Sequence, residues 1–528
     1  MTLSLILKII AAAALVLLLG LRTKHDLHML QQNTYRNDRY RRWLKGRRKL
    51  EFVVADLLLI VPLIASFWNQ LQFWLILIVV SALLINNARR PRADKKPLVL
   101  TARAKRLWLL ALVLAAIYVV LIVILQSTVL PLIVAYLLLA VIIMFSRWLI
   151  LLANRLIQPL EHKINRGFYL EAQAKLAAMP DTMTFAITGS YGKTSCKMIL
   201  AAMLSEKYLM LATPSSYNTP MGITRVIREQ LRPIHQAFIC EMGARQKGDI
   251  SELCRLVKPR IGILTSIGEQ HLETFGSIEN IIATKYELIK ELPTDGLAVL
   301  NMDNPFIVAY AHLATCRVVG FGIDYRDGYY ATQISYDNKG SSFVINTPEG
   351  DKQKFTTQLL GKHNIYNILA AAAAAHQFGL PLNLAAKAVK TLEPIEHRLQ
   401  LRPNPIYTVI DDAFNANPAG AAAALEVLDS FSGGHKIIIT PGMVELGERE
   451  YQLNKEFALK MARVCDYIIL VGQKHSQPLQ DGLVEAAYPK EKYFVAADLH
   501  QAQQKLQALV QAGDVVLYEN DLPDTYNE

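Results

Sequence analysis

The stretch Met183-Thr-Phe-Ala-Ile-Thr-Gly-Ser-Tyr-Gly-Lys-Thr-Ser195 sets a β-branched apolar run before two glycines, a lysine and two hydroxyl residues. Thr184 to Ile187 reads as a short buried strand. Gly189 and Gly192 permit a tight turn with backbone close to a ligand, and Ser195 to Leu204 reads as a helix. Strand, glycine loop and helix N-terminus together make an anion site, in which backbone N–H groups and the positive end of the helix dipole face phosphates. Gly189, Ser190, Tyr191, Gly192 and Ser195 would line the loop, Lys193 would bridge the β- and γ-phosphates of a nucleotide, and the Thr194 hydroxyl would hold Mg²⁺. The spacing, G-x-x-G-K-T-S, is not the common P-loop: Ile187 stands where that pattern needs its first glycine. The bland alternative is a Gly-rich turn with a solvated lysine.

Other candidates follow predicted strands. Glu241 closes one, and ligands of parallel α/β sheets bind at the carboxyl ends of strands; a carboxylate there suits Mg²⁺ beside phosphates. His271 follows another strand in a Gly-rich loop. Asp411-Asp412 closes the first strand of the last predicted domain and precedes the turn formers Asn415, Asn417 and Pro418. Each alone reads equally well as a surface acid, a structural histidine or a turn.

The elements that must position them alternate strand and helix after residue 180. Strands are expected at Phe238–Cys240, Ile261–Thr265 and Ala298–Leu300, and helices at Ser277–Leu292 and Asn364–Phe378. From Cys316 the pattern shifts to short alternating strands, a β-rich insert at about 316–360. Pro394 to Arg398 reads as a linker, and strands at Tyr407–Asp411, Lys436–Thr440, Tyr467–Val471, Tyr493–Ala496 and Val515–Tyr518 form a second α/β domain with a mostly parallel sheet.

Composition accounts for the rest. The chain has 528 residues, 52% of them hydrophobic, and its mean hydropathy of +0.22 is high for a wholly soluble protein. The excess lies in residues 1 to about 155. The net charge of +11 is concentrated in two basic segments between apolar runs, Arg22–Lys49 and Arg89–Arg106. That pattern speaks for membrane topology and against nucleic-acid binding. Five spans are expected, at Thr2–Leu21, Phe52–Trp68, Leu71–Ile85, Leu107–Leu125 and Leu130–Leu152, with the basic segments and everything after Asn154 in the cytoplasm. The second and third are at the short end of the ~17–25 residues a span needs. Asp56 is an acid within a span, a candidate for function or for snorkelling. Arg155–Met179 reads as an amphipathic connecting helix. The scattered cysteines Cys196, Cys240, Cys254, Cys316 and Cys465 form no C-x-x-C, so neither a zinc site nor a disulfide framework is indicated.

The ordered set from about 180 to 520 resembles the Mur ligases, the ATP-dependent amide-forming enzymes of peptidoglycan assembly, and within them the MurF branch. Thr188–Ser195 looks like their phosphate loop, Tyr217-Asn-Thr-Pro-Met-Gly222 like their Asn-x-x-x-Gly segment, and Glu241-Met-Gly-Ala244 and His271-Leu-Glu-Thr-Phe-Gly276 like their metal-binding segments. The resemblance implies Mg²⁺ on Thr194, Glu241, His271 and a carbamylated Lys285. It implies nucleotide contacts from Asn364, Asn367 and Asp412, the last to the ribose, and an interdomain arginine, Arg398, that reaches the γ-phosphate. The implied catalytic residues are Lys193, Lys285, His271 and Arg398. The implied fold is a helical membrane domain (1–155), a connecting helix (156–180), a P-loop-type central domain (181–393) and a Rossmann-like C-terminal α/β domain (394–528).

The implied reaction is attack of a substrate carboxylate on the γ-phosphate of ATP, giving an acyl phosphate that an amine then converts to an amide. The chain departs from the family in three places. The domain that binds the UDP-sugar is replaced by the membrane domain. The expected Gly-Asp-Met-x-Glu-Leu-Gly reads Pro441-Gly-Met-Val-Glu-Leu-Gly447, and the expected Lys-Gly-Ser-Arg reads Tyr518-Glu-Asn-Asp-Leu-Pro-Asp524. The acidic replacement would suit a cationic amine. Partners expected are therefore a carboxylate-bearing acceptor, either a lipid-linked cell-envelope precursor or a growing polymer, an amino acid or short peptide amine, and the bilayer of the cytoplasmic membrane. A capsule-type poly-γ-glutamate synthetase and a nucleotide-sensing membrane scaffold remain as other readings.

Overall fold

The computed structural model describes the chain except residues 1–2, 34, 47–53, 68, 90–96, 215–216, 269, 271, 338–339, 394–396, 398, 414–416, 432, 445, 474 and 521–528. It divides into two units, residues 1–166 and 167–528.

The first unit is helical. Leu3–Gln32, Gln70–Ala88 and Ala102–Thr128 are long and apolar enough to cross a bilayer; Leu132–Met144 and Ser146–Ala177, bent by 71° at the break between them, make a fourth if counted as one span. Five spans are thus not found among the described residues. The expected span at Phe52–Trp68 appears as a 3₁₀ turn, Val54–Leu59, followed by the six-residue helix Ile60–Ala65. At 1.5 Å per residue such a helix cannot cross a core about 30 Å thick. The side chain of Asp56 lies outside the described residues. The long helices bury one another through Leu15, Phe73, Leu77, Val119 and Tyr136. Polar links also join the helices: Trp108 Nε1 donates to Gly20 O at 3.0 Å, and Arg106 holds the buried Glu161 through two bonds of 2.7 and 2.9 Å. A cavity of about 780 Å³ between Leu3–Gln32 and Ala102–Thr128 is lined by apolar side chains together with Lys8.

The connecting helix begins earlier than expected, at Ser146, and continues through Pro159 to Ala177. Its last turns pack within the second unit. Glu171 pairs with Arg228 at 2.8 Å, and Gln173 donates to the Arg255 carbonyl at 2.8 Å.

The second unit holds two sheets. The first comprises β1 (Met183–Thr188), β2 (Met210–Ala212), β3 (Ala237–Glu241), β4 (Ile261–Leu264), β5 (Leu297–Asn301), β6 (Arg317–Gly322), β7 (Tyr329–Asp337), β8 (Gly340–Asn346) and β9 (Lys352–Thr357), in the order β2-β3-β1-β4-β5-β6-β7-β8-β9. β1 to β6 are parallel, while β7, β8 and β9 form an antiparallel meander. The β-rich segment is therefore an extension of the central sheet and not a separate insert. Its alternating pattern reflects antiparallel strands covered on one face. The Ala-rich helix Lys362–Gln377 is almost wholly buried against the sheet, since alanines let a helix pack closely.

The second sheet comprises β10 (Gln400–Pro403), β11 (Thr408–Asp412), β12 (Lys436–Thr440), β13 (Tyr467–Val471), β14 (Tyr493–Ala496) and β15 (Val515–Glu519), in the order β10-β11-β15-β12-β13-β14. All neighbours are parallel except β10, which pairs antiparallel with β11. The five strands expected here all form. The expected linker at Pro394–Arg398 falls mostly outside the described residues.

Candidate active site

β1 is buried along nearly its whole length, and the chain turns at its end through Gly189 (φ 152°) and Gly192 (φ 78°) into the helix Lys193–Ser205. Both glycines are required by conformation and by space. A Cβ on Gly189 would run into the Thr265 hydroxyl, and one on Gly192 into the Asn367 amide. Gly192 is the N-cap of the helix and offers no side-chain cap, so the first N–H groups face outward to a ligand.

The loop after β4 braces this turn. The Ser190 hydroxyl donates to Gly268 O at 2.9 Å and accepts the Gly268 N–H at 3.0 Å, and the Tyr191 N–H donates to Ser266 Oγ at 3.0 Å. Asn301 and Asn304 fix that second loop in turn, donating to Thr265 O and Ile267 O at 2.9 Å each. The Ser190 hydroxyl and the backbone N–H groups of Ser190 and Tyr191 are thus committed to the protein, and the N–H groups left to face a ligand are those of the helix start from Gly192. Lys193 folds back onto the loop, donating to Gly189 O at 2.7 Å and Ser190 O at 2.9 Å.

Glu241, at the end of β3 next to β1, is buried. It accepts from the Thr194 hydroxyl at 3.0 Å, from Lys197 Nζ at 3.1 Å and from Asn218 Nδ2 at 3.2 Å. Burial alone would raise its pKa, but the charges of Lys197 and Lys193 and the Asn218 bond hold it below the usual carboxylate value, so it stays ionised. Lys197 is fully buried and was not singled out from the sequence. The available signal was its position one helical turn after Lys193. Asn218 sits inside the Asn-x-x-x-Gly segment already noted.

Lys285, on the helix Ile278–Lys290, is buried with its Nζ 5.9 Å from the Phe275 ring centre. Burial, and then the Lys193 charge, push its pKa down to about 7; Asp249, Glu287 and Glu241 act in the other direction. A substantial share of its amine is therefore unprotonated near neutrality, the form that reacts with CO₂. Thr194 and Glu241 offer hard oxygen donors of the kind Mg²⁺ takes, and their chemistry fits that ion. His271 and Arg398 lie outside the described residues. Among the described residues no cluster of three or more His, Cys, Asp or Glu gathers elsewhere in metal-binding fashion.

The structure thus brings Lys193, Thr194, Glu241, Lys285 and Asn367 to one end of the first sheet. Asn364 is buried nearby on the helix Lys362–Gln377, but its amide donates to Leu360 O at 2.8 Å. Asp412 ends β11 of the second sheet, where Oδ1 accepts the Leu399 N–H at 3.1 Å. Its neighbour Asp411 takes Arg402 at 3.0 Å and His397 Nδ1 at 3.0 Å. Glu519 corrects one expectation. It does not stand open to a cationic amine but is fully buried at the end of β15.

Over residues 187–375 the chain matches the Mur ligase middle domain, and over 397–518 the Mur ligase, glutamate ligase domain. It is 30% identical over 336 residues to the UDP-N-acetylmuramoyl-tripeptide–D-alanyl-D-alanine ligase of Escherichia coli (strain K12), covering 62% of this chain and 73% of that protein. The chain belongs to the Mur ligase family. The enzyme of the same name from Bacillus subtilis (strain 168) is 32% identical over 277 residues, 52% of this chain. The chain spans 59% of that relative's length. Among solved structures, MurF from Acinetobacter baumannii superimposes with a TM-score of 0.62 at 25% identity, over 68% of this chain and 77% of that one. The likeness to the MurF branch read from the motifs is met by all three. Residues before 187 lie outside both matched domains and include the apolar helices of the first unit.

Proposed function

We propose that this Mur ligase family protein is a membrane-anchored, ADP-forming ligase that joins a carboxylate to an amine through an acyl phosphate. The carboxylate belongs to a cell-envelope precursor, and a lipid-linked one is the reading we favour. The observation that carries the proposal is the Thr194–Glu241–Lys197 constellation at the mouth of the glycine loop, with Lys285, buried and its amine pKa pushed down, on a neighbouring helix.

Each residue has a chemical task in this reading. The N–H groups at the helix start, from Gly192 to Ser195, receive the nucleotide phosphates. Lys193 exchanges its two loop carbonyls for the β- and γ-phosphates and offsets the charge that develops as the γ-phosphoryl group moves. Thr194 and Glu241 would hold Mg²⁺, which when bound neutralises phosphate charge. Lys285 would form an N–C bond to CO₂ with release of one proton; the resulting carbamate is an anion, and it and His271 would be further ligands for Mg²⁺. Asn367, packed against Gly192, contacts the nucleotide, Asp412 takes the ribose, and Arg398 reaches the γ-phosphate. The chain supplies orientation and charge, and the covalent changes occur between ATP, carboxylate and amine.

The apolar helices support anchoring of the ligase unit at a bilayer, and such anchoring favours an acceptor that is itself in the membrane. Phosphate release by the detergent-solubilised chain, with ATP and Mg²⁺ and paired acceptors and amines, tests the reading. Release that depends on both an acceptor carboxylate and an amine is expected. ATP hydrolysis indifferent to every pairing would overturn it.

A further inference from the structure

At the end of β15, Glu519 is fully buried, and neither of its carboxyl oxygens meets a hydrogen-bond donor from a neutral or cationic group among the described residues. Its register partner on the adjacent parallel strand β11 is Asp412. Register partners on parallel strands leave the sheet on the same face about 5 Å apart, which sets the two carboxyls side by side at the strand ends. Two carboxylates that close do not both ionise. Glu519 is the one that keeps the proton, because it is enclosed while Asp412 is partly exposed and already accepts the Leu399 N–H. Burial and the Asp412 charge together push the Glu519 carboxyl well above the usual carboxylate range.

We propose that Glu519 is a positioning residue whose carboxyl O–H donates to Asp412 and, with the Leu399 N–H, fixes the Asp412 carboxylate toward a nucleotide ribose. The inference rests on the reading of Asp412 as the ribose contact. The following residue keeps the two strand ends in place. Asn520 (φ 69°) donates its N–H to Asp412 O at 3.2 Å and its side-chain amide to Gly442 O at 2.6 Å.

Calorimetric binding of ADP to the detergent-solubilised full chain tests this. Glu519→Gln keeps a donor of the same shape and is expected to bind within about twofold of wild type. Glu519→Met loses the donor, and its affinity should fall about three- to tenfold, the worth of one orienting hydrogen bond. In an Asp412→Ala background Glu519→Met should add nothing, because the residue acts through Asp412. The proposal is overturned if Gln is as damaging as Met, if Met has no effect, or if Met costs the same with and without Asp412. Wild-type protein that does not bind ADP would instead remove the underlying nucleotide reading, and this proposal with it.

Discussion

Three side-chain donors hold Glu241 before any ligand arrives, and the buried Lys197 is the one whose loss is most costly. Removing one partner of a buried ion pair leaves an uncompensated charge, at about 3–5 kcal/mol. Lys197→Met should therefore lower the thermal midpoint of the ligase unit clearly; a midpoint equal to wild type would show the pair is not energetically buried. Lys193→Ala should leave the midpoint nearly unchanged and reduce phosphate release about 10²–10³-fold. Lys285 gives a pH signature. Its amine titrates at 10.5 when unperturbed and at about 7 in the fold. Between those values the unfolded chain binds more protons, so stability rises with pH across that window. In buffer free of CO₂ and Mg²⁺, the midpoint of wild type should gain on that of Lys285→Met between about pH 7 and about pH 9, and parallel curves would contradict this. Lys193, Thr194 and Glu241 were legible in the sequence, because strand ends and glycine loops announce a phosphate site, whereas Lys285, in mid-helix, was singled out only through the family resemblance. The burial of Lys285 and Glu519 was not legible, because it is decided by helices and strands distant in the chain.

At the scale of elements, the turn from β1 into the helix Lys193–Ser205 depends on Gly192, in the left-handed region and against Asn367. Gly192→Ala combines a left-handed penalty of about 1–2 kcal/mol with that clash. It should weaken ADP binding with little loss of overall fold; unchanged ADP affinity would mean the loop does not form the nucleotide site. The parallel strands expected from apolar runs formed to within a residue or two, since buried parallel strands read that way, while Met210–Ala212 and Gln400–Pro403 were not foreseen. What the sequence hid was partnership. The β-rich segment joins the central sheet through two register pairs between β6 and β7, and β10 pairs antiparallel with β11. Neither follows from local pattern. Phe52–Trp68 misled for a related reason: hydropathy gives the length of an apolar run and not whether its backbone stays in one helix.

At the scale of the molecule, the helical unit of residues 1–166 and the ligase unit of 167–528 each have their own cores. A chain beginning at residue 167 should be soluble without detergent and keep its ADP affinity. It should also lose activity selectively toward an acceptor embedded in a bilayer. Equal use of a bilayer-embedded acceptor by the shortened and full chains would show that the helices do not serve the reaction. The central claim is that this Mur ligase works at the membrane on a carboxylate carried by a lipid. The measurement that tests it most directly is phosphate release by the full chain with ATP, Mg²⁺ and a panel of amines, comparing lipid-linked with UDP-linked muramyl peptides. The account predicts release that requires the lipid-linked acceptor together with one amine. Equal or faster release with the UDP-linked tripeptide and D-alanyl-D-alanine would contradict it.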